Sequence, residues 1–352
     1  MGTRTVAVDV GASAVRVAEV ELGSGADPRD GATLLAFGEA EVPPGVIRGG
    51  VVEEPSALAQ VVREAWAHAK PSSKNVVLGL GSPSIVVREV DIPAQPMDKV
   101  RSSLAFHVQD QLPMAAEDVI MDFYPTAEFE AQGGATLRGL LVAAPRSLVR
   151  DVTDVLHAAG VKVAAVDHSA FGLWRIGCRG DIARDNVAFV DVGAQTTTVV
   201  ISQAGAVRLV RAMPHGGHDG TKAVAQALKG ENADPELAKR AVGMVRSEDP
   251  DRKVVADAVE HATGPLIESV RNTLVYFASG NPGAAVARIV LTGGGSQLQG
   301  FGQALASATR LPVMIGDPLQ GIRIGKKADT GPIQGREIEF ATAIGLAAGG
   351  VK

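Results

Sequence analysis

The 352-residue sequence holds a single cysteine, Cys178. That excludes an intrachain disulfide and a thiolate metal centre, and leaves the expectation of a buried or idle thiol. Aromatic residues make up only 4% and the formal net charge is −5, so neither a basic face nor a row of stacking rings offers a hold on nucleic acid. No apolar run approaches the ~18 residues needed to cross a bilayer. The opening residues, Met1 to Gly11, pass straight into a strand pattern without the apolar centre of a secretory leader, so a cytoplasmic, reducing location is expected. Neither G-x-x-x-x-G-K-[ST] nor a strand followed by G-x-G-x-x-G occurs, which disfavours P-loop ATPases and dinucleotide oxidoreductases. Of the seven histidines only His215 and His218 lie close together, across two glycines and with no cysteine nearby, so no transition-metal site is expected. The last residues, 344–352, lack the basic, large-apolar pattern of a membrane-surface helix. Membrane recruitment would therefore go through a partner rather than by direct insertion.

What the chain has is apolar patterning and glycine. Hydrophobic residues reach 46%, and the 41 glycines stand well above the usual ~7% without a three-residue period. This length and composition suit roughly two domains of ~150 residues. Residues Ala7 to Val20 can be laid over Phe189 to Ser202: in both, an apolar run ends in Asp-Val-Gly-Ala, at Asp9 and at Asp191, and a second alternating run follows. Each copy is a β-hairpin pattern. The offset of half a chain is far too long for a solenoid, so two homologous domains facing each other are expected.

Apolar stripes predict helices from Pro55 through Leu58, Val61, Val62, Ala65 and Trp66, and behind Pro265 through Leu266, Val270, Leu274 and Phe277. Strands are expected over 76–80, 85–92, 119–123, 137–143, 161–166 and 289–291, with helices near 97–111 and 145–159; Leu298 to Leu305 is also expected to be helical. The mixture is α/β. Residues 76–160 have their own order of two strands, helix, two strands and helix, which predicts an inserted α+β subdomain. The resulting division is a first domain over 1–75 and 161–185, the insert over 76–160, and a second domain over 186–352. Within the last, 219–270 forms a helical subdomain that includes the polar stretch 229–250.

An Asp closing a buried strand before a glycine turn suits a nucleoside triphosphate. The turn aims successive amides inward as an anion nest, and the Asp reaches a hydrated magnesium ion bridging the phosphates. Asp9 and Asp191 would then meet across a cleft, Ser13, Thr196 and Thr197 would donate hydroxyls to phosphate oxygens, and Arg16 would add positive charge. The alternative is a pair of plain hairpin turns. A third cluster, Gly293, Gly294 and Gly295 after the run Ile289 to Thr292, would let the backbone lie against a base or ribose.

The three glycine motifs together resemble the actin-like ATPase superfamily, which includes actin, the heat-shock chaperone ATPases, sugar kinases and FtsA. The resemblance puts Asp9, Gly11, Ala12, Ser13 and Arg16 in a first phosphate loop. It puts Asp191, Gly193, Ala194, Gln195, Thr196 and Thr197 in a second, and Gly293 to Gly295 in an adenosine loop. The segments Pro43 to Val52, Val86 to Pro93, Phe106 to Pro113, Val119 to Phe123 and Pro214 to Thr221, with Gly216 and Gly217, are similar to those of the PilM family of type IV pilus assembly. That resemblance covers nearly the whole chain. It implies a magnesium-ATP site, with Glu236 and Lys239 flanking the adenosine, and a groove beside the insert for the cytoplasmic N-terminal peptide of a PilN-like inner-membrane protein. Contacts with other copies of the chain, or with other platform or motor proteins, are further possible partnerships. Where the family often carries a carboxylate, two residues beyond Asp167, this chain has Ser169. Asp167 is then a turn residue or orders a water, and at most slow hydrolysis is expected. An actin-fold small-molecule kinase and an FtsA-like filament remain the alternatives.

Overall fold

The structure, a computed structural model, describes residues 3–23, 31–112, 114–229, 233–326, 328–329 and 331–349. Met1 and Gly2 of the opening pattern lie outside the described residues. So do Pro113, residues 230–232 of the polar stretch, and residues 350–352.

The chain opens as an antiparallel meander of β1 (Arg4–Val10), β2 (Ala14–Glu21) and β3 (Thr33–Glu41). Then come a short hairpin of β4 (Ile47–Arg48) and β5 (Val51–Val52), helix α1 (Pro55–Ala69) and strand β6 (Asn75–Leu80). Strand β7 (Val86–Pro93), helix α2 (Met97–Val108) and strands β8 (Val119–Ala131) and β9 (Gly134–Pro145) follow. Next are α3 (Arg146–Ala158), β10 (Lys162–His168) and α4 (Ser169–Gly177). The second half repeats the plan with β11 (Asn186–Val192), β12 (Thr197–Gln203) and β13 (Ala206–Met213), then α5 (Gly217–Ala227), α6 (Pro235–Val242) and α7 (Pro250–Gly280). It closes with β14 (Arg288–Thr292), α8 (Phe301–Thr309), β15 (Val313–Ile315), β16 (Arg323–Ile324) and α9 (Ala341–Ala347).

Two sheets carry the duplication. The first has the order β10-β6-β1-β2-β3-β16 and the second β13-β12-β11-β14-β15. In each, the hairpin strand that bears the Asp pairs antiparallel with its successor and parallel with a later strand: Asp9 opposes Arg16 and Gly79, and Asp191 opposes Thr198 and Thr292. Strands such as Val187 to Val190, buried on both faces, account for continuous apolar runs rather than alternation.

Sheet membership moves the expected boundaries. Strand β6 belongs to the first sheet, and α3 packs on α1 with Val152, Val155 and Leu156 in that sheet's core. The separate layer is the three-stranded sheet β7-β9-β8 with α2 on one face, a narrower unit than 76–160. Nor does the second unit run to the end of the chain: β16 pairs with β3, and α9 packs on β1, β2, β6 and α4. The C-terminal segment thus returns to the first sheet. Its closest approach to α4 is backbone on backbone, since a Cβ on Gly345 would fall inside contact distance of the Gly172 carbonyl. Two local expectations also shift. Pro265 lies inside α7 rather than at its start, because the buried stripe from Val255 to Phe277 holds the helix together through the proline. The third glycine cluster opens into a 3-10 turn at Gly294–Gln297, and the helix begins at Phe301 rather than Leu298.

Candidate functional site

The two halves enclose a cleft of about 380 Å³. The glycine-bearing hairpin turns form its floor, and they are copies of each other in detail. Gly11 N–H donates to Ala14 O at 3.0 Å, and Gly193 N–H donates to Thr196 O at 3.0 Å. A Cβ on Gly11 would stand 3.0 Å from Ala14 O, and one on Gly193 would stand 2.8 Å from Thr196 O; only glycine closes either turn without displacement. Among the described residues no protein acceptor takes the amides of Ala12, Ser13, Ala194 or Gln195. These are the donors of an anion nest.

Asp9 and Asp191 lie half-buried beneath these turns and line the cleft, and each receives one hydroxyl: Ser169 Oγ donates to Asp9 Oδ1 and Thr292 Oγ1 to Asp191 Oδ1, both at 3.1 Å. Burial pushes the Asp9 carboxyl up to about 6; Arg16 counteracts this and the Asp191 charge adds to it. Asp191 is likewise raised, chiefly by burial. Desolvation disfavours the charge of both carboxylates, and the Asp191 charge adds to it at Asp9, an arrangement that a cation would relieve. Among the described residues no cluster of three His, Cys, Asp or Glu side chains could cage a metal directly. Two hard oxygen donors of this kind could hold a hydrated divalent cation that takes its remaining ligands from water.

The opposite wall is a ledge on α5 and α6. Lys239 is only 7% exposed, and its Nζ donates to Gly217 O (2.9 Å), Thr221 Oγ1 (2.8 Å) and Glu236 Oε2 (2.6 Å). Burial alone would raise the Glu236 carboxyl, but hydrogen bonds from Lys239, Thr221 and Arg240 outweigh it and hold the group at about 2. All three ammonium donors are spent within the ledge. Glu236 and Lys239 therefore shape the wall, and any ligand contact is made over them. Gly216 and Gly217 join the ledge to the second turn: Gly217 N–H donates to Gly193 O at 2.9 Å, and His218 N–H to Ala194 O at 2.8 Å. Gly293, Gly294 and Gly295 line the cleft beside the start of the ledge, a Cβ on Gly217 standing 3.9 Å from Gly295 Cα. A Cβ on Gly293 would stand 2.6 Å from Val192 O, so this loop lies directly on the second turn.

Three expected ligand residues are placed otherwise. Thr197 is fully buried and spends its hydroxyl on His215 O at 2.9 Å, while Thr196 and Thr198 line the cleft; strand alternation turns the first residue of β12 into the core. Asp167 lies within β10, not after it, and pairs with Arg175 at 2.6 Å away from the cleft, whereas Ser169 lines it. Arg16 does line the cleft, yet its guanidinium lies 2.7 Å from Glu39, 2.8 Å from Glu339 and over the Phe340 ring. Its charge is already offset by two carboxylates. Glu339 has no sequence signal, because it arrives from the C-terminal segment.

The family model for type IV pilus assembly protein PilM matches residues 7–350. No curated protein is significantly similar in sequence. The chain is similar to the structure of a PilM-PilN type IV pilus biogenesis complex, with 26% identity, 100% of each chain covered and a TM-score of 0.84. At 13% identity it shares its fold with ethanolamine utilization protein EutJ from Carboxydothermus hydrogenoformans, covering 99% of this chain and 90% of that one, TM-score 0.54. At 12% identity it shares it with MreB 5 of Spiroplasma citri bound to AMPPNP, covering 97% and 94%, TM-score 0.51. These neighbours share the actin-like fold, and the mirrored sheets and turns are that architecture in this chain. The match over 7–350 settles the family: the chain belongs to the PilM proteins of type IV pilus assembly.

Proposed function

We propose that the protein is a nucleotide-binding adaptor of a type IV pilus inner-membrane platform, which takes magnesium-ATP in the cleft and the cytoplasmic N-terminal peptide of a PilN-like protein in a groove beside the three-stranded layer. The observation that carries the nucleotide half is the pair of matching turns whose inner amides have no protein acceptor among the described residues, set above two half-buried carboxylates. The amides of Ala12, Ser13, Ala194 and Gln195 would receive phosphate oxygens, with Ser13 and Thr196 beside them. Asp9 and Asp191 would hold the hydration shell of magnesium, which supplies charge neutralisation of the phosphates when bound. The base and ribose would rest between the α5–α6 ledge and Gly293 to Gly295.

At the position two residues beyond Asp167, Ser169 lines the cleft and donates to Asp9. With a hydroxyl in place of a carboxylate at that position, turnover would be slow or absent.

For the peptide, β8 and β10 are both edge strands. Ile120 and Tyr124 on β8 are 41% and 46% exposed, and Val166 on β10 is 43% exposed. Strand β8 meets α4, the helix that directly follows β10, where the Tyr124 ring lies 6.1 Å from that of Phe171, centroid to centroid. Unpaired strand edges flanked by apolar side chains accept an extended segment by strand addition. The similarity to a PilM-PilN complex identifies the partner class. No helix of the described residues is long and apolar enough to cross a membrane; in this reading the membrane is reached through the partner. The test is peptide titration of Tyr124→Ala and Val166→Asp variants. Both are expected to lose peptide binding by about tenfold or more while still binding nucleotide, and unchanged peptide affinity would remove this groove from the account.

A further inference from the structure

Gln195 sits at the tip of the second turn, and its side chain crosses to the other half of the molecule along the cleft wall. Its Nε2 donates to Ile47 O at 3.0 Å, and its Oε1 accepts from Gly49 N–H at 2.9 Å. One amide thus closes two hydrogen bonds on the turn between β4 and β5, as a strand partner would. This turn is not a free flap. Ile47 is buried in the core of the first half, and Ile47, Gly50 and Val52 share a cleft wall with Leu148 and Val152 of α3. Helix α3 packs directly on β5. At its first residue, Arg146 donates to Glu117 O and to Val119 O, both at 3.0 Å. Those carbonyls lie just before and at the first residue of β8, the strand whose edge forms one side of the peptide groove.

A continuous set of hydrogen bonds and packed side chains therefore links the second turn to the groove: Gln195, the 47–52 hairpin, α3, Arg146 and the start of β8. We propose that Gln195 is a positioning residue that couples occupancy of the cleft to the geometry of the β8 edge. A phosphate held on the Ala194 and Gln195 amides fixes the backbone that carries this side chain. It thereby holds the 47–52 hairpin, and α3 behind it, in one of two positions, clipped or released. Nucleotide then tightens peptide binding, and by linkage peptide tightens nucleotide by the same factor. This inference rests on the reading of the cleft and groove given above.

The test is a thermodynamic cycle on the full chain. Peptide affinity is measured with and without magnesium-ATP in the wild type, in Gln195→Ala, in Arg146→Met and in the double variant. The wild type is expected to show a coupling of about fivefold or more. Either single variant should bring that factor to within about twofold of unity, and the double variant should lose no more than either alone, because both break one route. Hydrogen exchange at the Gly49 amide reports the clip independently of either ligand: protection should fall in Gln195→Ala and persist in Arg146→Met. Full coupling in Gln195→Ala with the Gly49 amide deprotected would overturn the inference, as would additive losses in the double variant. A wild type that binds both ligands with a coupling of one would overturn this inference alone. A wild type that binds only one of them, or neither, would overturn the adaptor reading beneath it.

Discussion

Arg16 donates to Glu339 at 2.8 Å across 323 positions of sequence, tying the first hairpin to the segment that returns from the second half. Arg336 closes the circuit on Glu39 at 2.8 Å and on Glu339 at 2.7 Å. The same returning segment touches the third glycine cluster, where Gly293 N–H donates to Ile338 O at 3.3 Å and Gln297 Nε2 to Gly335 O at 3.1 Å. The network is the point at which both halves and the C-terminal segment meet.

Replacing Arg16 with Met removes one cation from between two carboxylates that are nearly buried. Because the Glu39 and Glu339 side chains are only 16% and 9% exposed, the uncompensated charge costs about 2–4 kcal/mol of stability. Denaturant unfolding should show that loss, and a second change, Glu339→Gln, should recover part of it. Wild-type stability in the single variant would mean that Arg336 alone neutralises the pair.

The Asp9→Asn variant separates fold from ligand binding. The isosteric amide removes a half-buried charge, so the ligand-free protein is expected to gain stability at neutral pH, while magnesium-dependent nucleotide affinity falls by about tenfold or more. Asp191→Asn should behave alike. Unchanged nucleotide affinity in both variants would remove the metal assignment.

The pH dependence follows from the raised Asp9 carboxyl. A folded-state value lifted from 3.8 to about 6 means that the native state binds the proton more tightly than the unfolded chain. This contribution favours the fold below about pH 4 and is lost as pH rises to about 6, at a cost on the order of 2–3 kcal/mol. Glu236, held at about 2 against its ordinary value of 4.5, acts oppositely, and its contribution is lost as pH falls from about 4.5 towards 2. Stability measured from pH 4.5 to 7 should therefore decline with rising pH more in the wild type than in Asp9→Asn, and magnesium-nucleotide affinity should weaken below about pH 6. Identical slopes in the two proteins would contradict the assignment.

At the crossing of α4 and α9, a methyl group on Gly345 has nowhere to go. Gly345→Ala is expected to destabilise the protein by about 1–3 kcal/mol through overpacking, measurable as a lowered Tm. Gly264, where an added Cβ meets nothing within 4 Å, is the control position.

The parts of this architecture that rest on local pattern were readable in the sequence. The repeated Asp-Val-Gly-Ala hairpins became mirrored sheets because strand alternation and the glycine turn are both short-range properties. Glu236 and Lys239 were expected only from the family resemblance; the structure places both on the cleft wall, bonded to each other and to Thr221. What escaped reading depends on long-range return. Glu339 reaches Arg16, and β16 reaches β3, only after the chain has crossed back from the second half, so the domain boundary and the role of Arg16 could not be read from neighbours. Thr197 was misassigned by one residue because the register of β12, set by pairing with β11 and β13, decides which hydroxyl faces the cleft. Gln195 stood in a recognised loop, but no spacing signals a side chain that bonds to a turn of the other half.

The measurement that tests the adaptor account most directly is calorimetric titration of the full chain with the cytoplasmic N-terminal peptide of a PilN-like partner, with and without magnesium-ATP, while phosphate release is followed. The account predicts peptide binding that is strengthened by nucleotide and accompanied by little turnover. Failure to bind the peptide, together with ATP turnover that rises on addition of a small-molecule acceptor, would contradict it and make this cleft that of a kinase.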